Sequence, residues 1–104
     1  MTPAHSWVTI IIMIKSFKHK GLKLLFETGS HKGVNPAHVK RLRLILARLD
    51  ATQTPDDMNL PGLNLHPLKG DLKEFWSVTV SGNWCVIFRF EGSNIAEVDY
   101  DDYH

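Results

Sequence analysis

Apolar residues recur along the chain in a few distinct spacings, and each spacing predicts an element. "VTIIIMI", Val8 to Ile14, is an unbroken run of strand length, far short of the ~18 to 20 apolar residues that cross a bilayer. No basic residue precedes it, and Lys15 and Lys18 follow, so it lacks a signal-peptide layout. Leu22, Leu25 and Phe26 then fall at i, i+3 and i+4 and the pattern stops on Gly29, which predicts a short amphipathic helix. Asn35 and Pro36, an N-cap type and a first-turn type, open a second helix. Val39, Leu42, Ile45, Leu46 and Leu49 make its apolar face, Lys40, Arg41 and Arg48 its back and Arg43 its flank, while Leu44 sits among the cations and is expected to be exposed.

The stretch "TQTPDDMNLPGLNLHPLKGD" is rich in turn formers and predicts an irregular connection with one helical turn around Asp56 to Leu60. "EFWSVTV", "NWCVIFRFE" and "NIAEVDY" then alternate or are β-rich, and the short signals "SG" and "GS" between them predict two hairpins. A strand, two helices and an antiparallel meander make an α+β plan in which helices cover one sheet face and leave the other available.

Composition narrows the class. A chain of 104 residues with 43% hydrophobic and 22% charged residues is one ordinary globular domain. The lone cysteine, Cys85, excludes an internal disulfide and a zinc framework, and fits a reducing cytoplasm. Met13 opens "MIKSF", so residues 1–12 are read as an upstream extension or cloning remnant and 13–104 as the domain. The net charge of +1 hides a division: residues 1–48 carry nine Lys/Arg and one acid, whereas 49–104 carry three Lys/Arg and ten acids. Such asymmetry points to a polyanionic partner, or to no more than a solvated helix face.

Candidate chemistry concentrates in two places. His66 stands in "LHPLKG", with Pro67 biasing it towards extended backbone and Lys69 three residues on. His104 closes the chain in "YDDYH". His5, His19, His31 and His38 are assigned no role. Histidine, with an ordinary pKa near ~6.5, suits proton transfer near neutrality. Two histidines and a lysine could cleave RNA: one deprotonates a ribose 2′-hydroxyl, the other protonates the departing 5′-oxygen, and a cation holds the phosphate charge. A surface role for each residue is the plain alternative. A metal site built from His66, His104, Asp101 and Asp102 competes, although no HxxxH, HExxH or cysteine pair supports it.

"MIKSFKHKGLKLLFETG", "LHPLKGD", "FWSVTV", "NWCVIFRFE" and the closing "YDDYH", in that order from Met13 to His104, resemble the HigB-type toxins of the RelE superfamily. The resemblance implies a RelE-like fold, a mainly antiparallel sheet with two amino-terminal helices packed on one face. It implies a ribosome-dependent endoribonuclease that cuts mRNA in the A site without a metal or other cofactor. It also implies a helix-turn-helix antitoxin of the HigA type as partner, operator DNA reached only through that antitoxin, and no membrane. His66 and His104 then look like the acid–base residues, Lys69 like a phosphate-side cation, and Asp102 and Tyr103 like contributors to the site and to base stacking. Lys18, Lys20, Lys23, Lys40, Arg41, Arg43 and Arg48 become candidates for docking on ribosomal RNA.

One position departs from that pattern. After "NW" the family has an arginine, whose fork would hold the scissile phosphate in two hydrogen bonds, and this chain has Cys85. Weakened or absent cleavage is expected, and a catalytically inactive antitoxin-binding module acting only in autoregulation is the alternative function. Arg89 lies on the same strand face but ~13 Å along it, a poor substitute by reach.

Overall fold

The computed structural model describes residues 14–102. The extension read over residues 1–12, all of the expected first strand except Ile14, and Tyr103 and His104 lie outside the described residues. Ile14 and Phe17 make isolated parallel bridges to Ile95 and Val98.

The first helix, α1 (Lys20–Thr28), matches the expected apolar spacing, with Leu22 and Leu25 buried. His19 caps its start by accepting from the Leu22 N–H at 3.1 Å, and Gly29 ends it in the left-handed region at φ 80°. Asn35 is an N-cap as predicted and accepts from the Ala37 N–H at 2.9 Å, but it opens a 3-10 turn, Pro36–His38. The α-helix proper, α2 (Val39–Asp50), follows directly and buries Leu42, Ile45, Leu46 and Leu49. Leu44 is 54% exposed, in line with its place among the cations.

A second 3-10 turn, Pro55–Met58, forms where one helical turn was expected. Asp57 Oδ2 accepts from the N–H groups of Gln53 and Thr54, and this pair of bonds holds its carboxyl below the usual value. The sheet comprises β1 (His66–Pro67), β2 (Phe75–Ser81), β3 (Trp84–Glu91) and β4 (Asn94–Asp102), paired antiparallel in the order β1-β2-β3-β4. The meander was expected. The edge strand β1 was not, because two residues carry no readable alternation.

Strand alternation divides the sheet into two faces. Trp76, Val78, Val80, Trp84, Val86, Phe88, Val98 and Tyr100 belong with α1 and α2 to one apolar cluster, in which Phe88 is fully buried. Ser77, Thr79, Cys85, Ile87 and Arg89 occupy the other face. A register shift between Ile87 and Arg89, with Glu97 at φ 53°, bulges β4. No helix among the described residues is long and apolar enough to cross a membrane.

Candidate active site

Register sets two of the candidate residues, His66 and Cys85, on the face away from the helices. His66 pairs with Ser77, Ser77 with Ile87, and Ile87 with Asp99, which makes one row across all four strands. The adjacent row runs Thr79, Cys85, Asp101. Directly paired residues share a face, so His66, Ser77, Cys85, Asp99 and Asp101 project to the same side. Two strand spacings across and two residues along put the Cα atoms of His66 and Cys85 ~12 Å apart.

The imidazole of His66 is oriented from behind. Its Nδ1 lies 2.8 Å from the carbonyl oxygen of Asn64, which stands in the left-handed region at φ 51°. A carbonyl only accepts, so Nδ1 carries a proton and donates. In the neutral ring Nε2 is then the unprotonated nitrogen, able to take a proton and later return it. Half-buried His66 thus has the tautomer that a general base requires.

Lys69 is exposed and immediately precedes a third 3-10 turn, Gly70–Leu72. Cys85 is 8% exposed, and its thiol donates only a weak contact to the Asn83 carbonyl at 3.6 Å. Ser77 is fully buried and its hydroxyl has no hydrogen-bond partner among the described residues. Asp102 pairs with Trp84, which places it on the alternate face from Cys85, at the exposed end of β4. Asp101 is the acid that register sets beside Cys85. Among the described residues no group of three or more His, Cys, Asp and Glu could hold a metal ion.

Arg89 does not stand in for an arginine at position 85. It sits against Phe75 and Ala96, and its guanidinium donates to Glu97 at 2.6 Å and Glu91 at 3.0 Å. Glu97 and then Glu91 hold the guanidinium above its ordinary value, and Lys15 and then Arg89 hold the Glu91 carboxyl below its own. Arg89 and Lys15 are thus both paired with carboxylates, so among the described residues neither is a free cation at this end of the face.

The predicted docking cations divide in two. Lys18, Lys20, Lys23, Lys40, Arg43 and Arg48 are exposed, although Arg43 also donates to the Gly29 carbonyl at 3.1 Å. Arg41 is half-buried, and its Nη2 donates to the carbonyls of Gly62 at 2.5 Å and Thr79 at 3.4 Å.

The sequence reading assigned nothing to His38, which is 7% exposed and bonded through Nδ1 to the Tyr100 hydroxyl at 2.6 Å. Burial pushes the Tyr100 phenol above its ordinary value, so it stays protonated. Trp84 stacks obliquely on Tyr100 with ring centroids 4.7 Å apart, and His19 and His38 meet Tyr100 edge-on. This cluster ties the first turn after Asn35 to the two strands that carry Cys85 and Asp101. The polar residue at the Pro36–His38 turn was its one signal in the sequence.

Comparison with known proteins agrees with this architecture. Residues 15–104 match the family model described as the RelE-like toxin of the type II toxin-antitoxin system HigB. The chain is 46% identical over 92 residues to endoribonuclease HigB of Proteus vulgaris, a match covering 88% of this chain and 100% of that protein. With two helices on one face of an antiparallel four-stranded sheet and a match across nearly its whole length, the chain belongs to the HigB-like, RelE-type toxins of type II toxin-antitoxin systems.

Proposed function

We propose that this toxin is an endoribonuclease, as its Proteus relative is named, and that it cuts mRNA in the ribosomal A site by acid–base attack of the ribose 2′-hydroxyl. The observation that carries the reading is half-buried His66, whose Nδ1–H bond to Asn64 leaves Nε2 for proton exchange. His104 serves as the second acid–base group, Lys69 and the position of Cys85 face the phosphate, and Tyr103 stacks on a base, while Asp102, on the alternate face by register, contributes only from the sheet end and Asp101 is the acid beside Cys85. No metal or other cofactor enters the mechanism.

Lys18, Lys20, Lys23, Lys40, Arg43 and Arg48 give an exposed cationic footing on ribosomal RNA. The cytoplasm is then the site of action. The antitoxin partner that a type II system implies is of the helix-turn-helix HigA type and brings the toxin to operator DNA.

Cys85 attenuates the cutting. Its row carries Asp101 and the next row Asp99, so the face presents carboxylates where a phosphate must sit. Primer extension on translating ribosomes tests the reading. A-site cuts that disappear in His66→Ala are expected, and antitoxin binding with no cuts, even in Cys85→Arg, would leave an antitoxin-binding module instead.

A further inference from the structure

We propose that Arg41 is a positioning residue for His66, acting through the segment that leads into β1. The inference rests on the acid–base reading of His66 and adds the device that aims it.

Arg41 lies on the polar side of α2 by helical spacing, yet its side chain turns inward. One nitrogen of the fork, Nη2, holds the Gly62 carbonyl at 2.5 Å and reaches the Thr79 carbonyl at 3.4 Å. Its Nε is buried and has no partner among the described residues. An arginine serving only as a docking cation keeps its guanidinium in water, where every N–H is satisfied. Here the fork joins three elements: α2, the loop before β1, and the end of β2.

The same loop is fastened at two further points. The Thr79 N–H donates to the Leu63 carbonyl at 2.7 Å, and the His66 imidazole donates to the Asn64 carbonyl at 2.8 Å. Gly62, Leu63 and Asn64 thus present three successive carbonyls to Arg41, β2 and His66. The first of these bonds ties the loop at Gly62 to α2, the second sets its height against β2, and the third converts that placement into the orientation and tautomer of the imidazole. Asn64 at φ 51° is the bend that turns the third carbonyl onto the ring. Releasing the Arg41 end frees the loop to pivot about Leu63, so the Asn64 carbonyl and His66 lose their fixed relation.

Arg41→Lys separates this role from docking, because it keeps the positive charge and removes the planar fork. The test follows the His66 ring by 15N NMR in the full chain, with A-site cutting kinetics measured alongside in the Cys85→Arg background. The expected result is loss of the single Nδ1–H signature, and kcat lower by up to ~10²-fold at unchanged KM for ribosomes. Asn64→Val, whose β-branched side chain is strained at a φ of 51° and so shifts the carbonyl that His66 bonds while leaving every cation in place, should reproduce both changes and keeps the test informative if the lysine variant folds poorly. An unchanged His66 spectrum with a raised KM would make Arg41 a docking residue and overturn the proposal. A changed spectrum with undiminished cutting would equally overturn it, by removing His66 from the chemistry while leaving Arg41 a structural clamp.

Discussion

Cys85→Arg is the sharpest perturbation available, because it should move activity and stability in opposite directions. Position 85 lies between Thr79 and Asp101 on the open face, one row from His66. The described cations near it are few: Lys69 is exposed at the edge, and Arg89 is occupied by Glu91 and Glu97. A guanidinium at 85 would be the one fixed positive charge at the centre of the face, with Asp101 across from it. Supplying such a contact to a developing phosphate charge typically changes rate by ~10² to 10³, or ~2.7 to 4 kcal/mol of barrier.

The same change costs stability. Cys85 is 8% exposed, and a longer side chain there displaces its neighbours, at ~1 to 3 kcal/mol for ordinary overpacking. An opposite-charge pair across the strands recovers only ~0.2 to 1 kcal/mol. Urea denaturation should therefore show a protein less stable by up to ~3 kcal/mol that cuts A-site codons ~10² to 10³ times faster. Cys85→Lys, with charge but no fork, should fall between the two. A folded Cys85→Arg protein that cuts no faster and slows growth no more than the Cys85 chain would refute the account of this position.

Other outcomes follow from the same geometry. Tyr100→Phe removes the partner of a buried His38 Nδ1 and should cost ~1 to 3 kcal/mol in chemical denaturation. Asp57 has a folded value below its ordinary 3.8, so the stability it contributes is present above that ordinary value and is lost as pH falls through the lowered one. Denaturation midpoints from pH 7 to pH 3 should accordingly decline less steeply in Asp57→Asn than in the parent; parallel curves would contradict this. Residues appended after His104 should reduce cutting in the Cys85→Arg background, and undiminished primer-extension products would count against the role given to that histidine.

Much of this fold was legible because its signals are local. Leu22, Leu25 and Phe26 predicted α1, Gly29 its end, and Asn35 the capped turn, since each depends on neighbours within four residues. The strands of the meander emerged from alternation and the glycine turns between them. What escaped depended on contacts made across the chain. β1 is a strand only because His66 and Pro67 pair with β2, and the bulge at Glu97 exists only against Arg89. Helical spacing put Arg41 on the polar back of α2, but it could not show that Gly62 and Thr79 would come within reach of the fork.

The uneven charge of the sequence acquires a spatial meaning that total charge conceals. Basic residues of the first half populate the outer surfaces of α1 and α2, while Asp99 and Asp101 of the second half share the sheet face that carries His66 and Cys85. A polyanion therefore meets attraction at the helices and repulsion at the cleft. Without a central cation the two surfaces oppose each other, and footing on RNA does not by itself bring a phosphate to His66. An arginine at position 85 would set a positive charge between Thr79 and Asp101, one row from His66. Docking and cleavage should therefore separate under the proposed function, with charge-removing changes at the exposed helix cations weakening ribosome binding and changes at the residue between Thr79 and Asp101 altering the cutting rate.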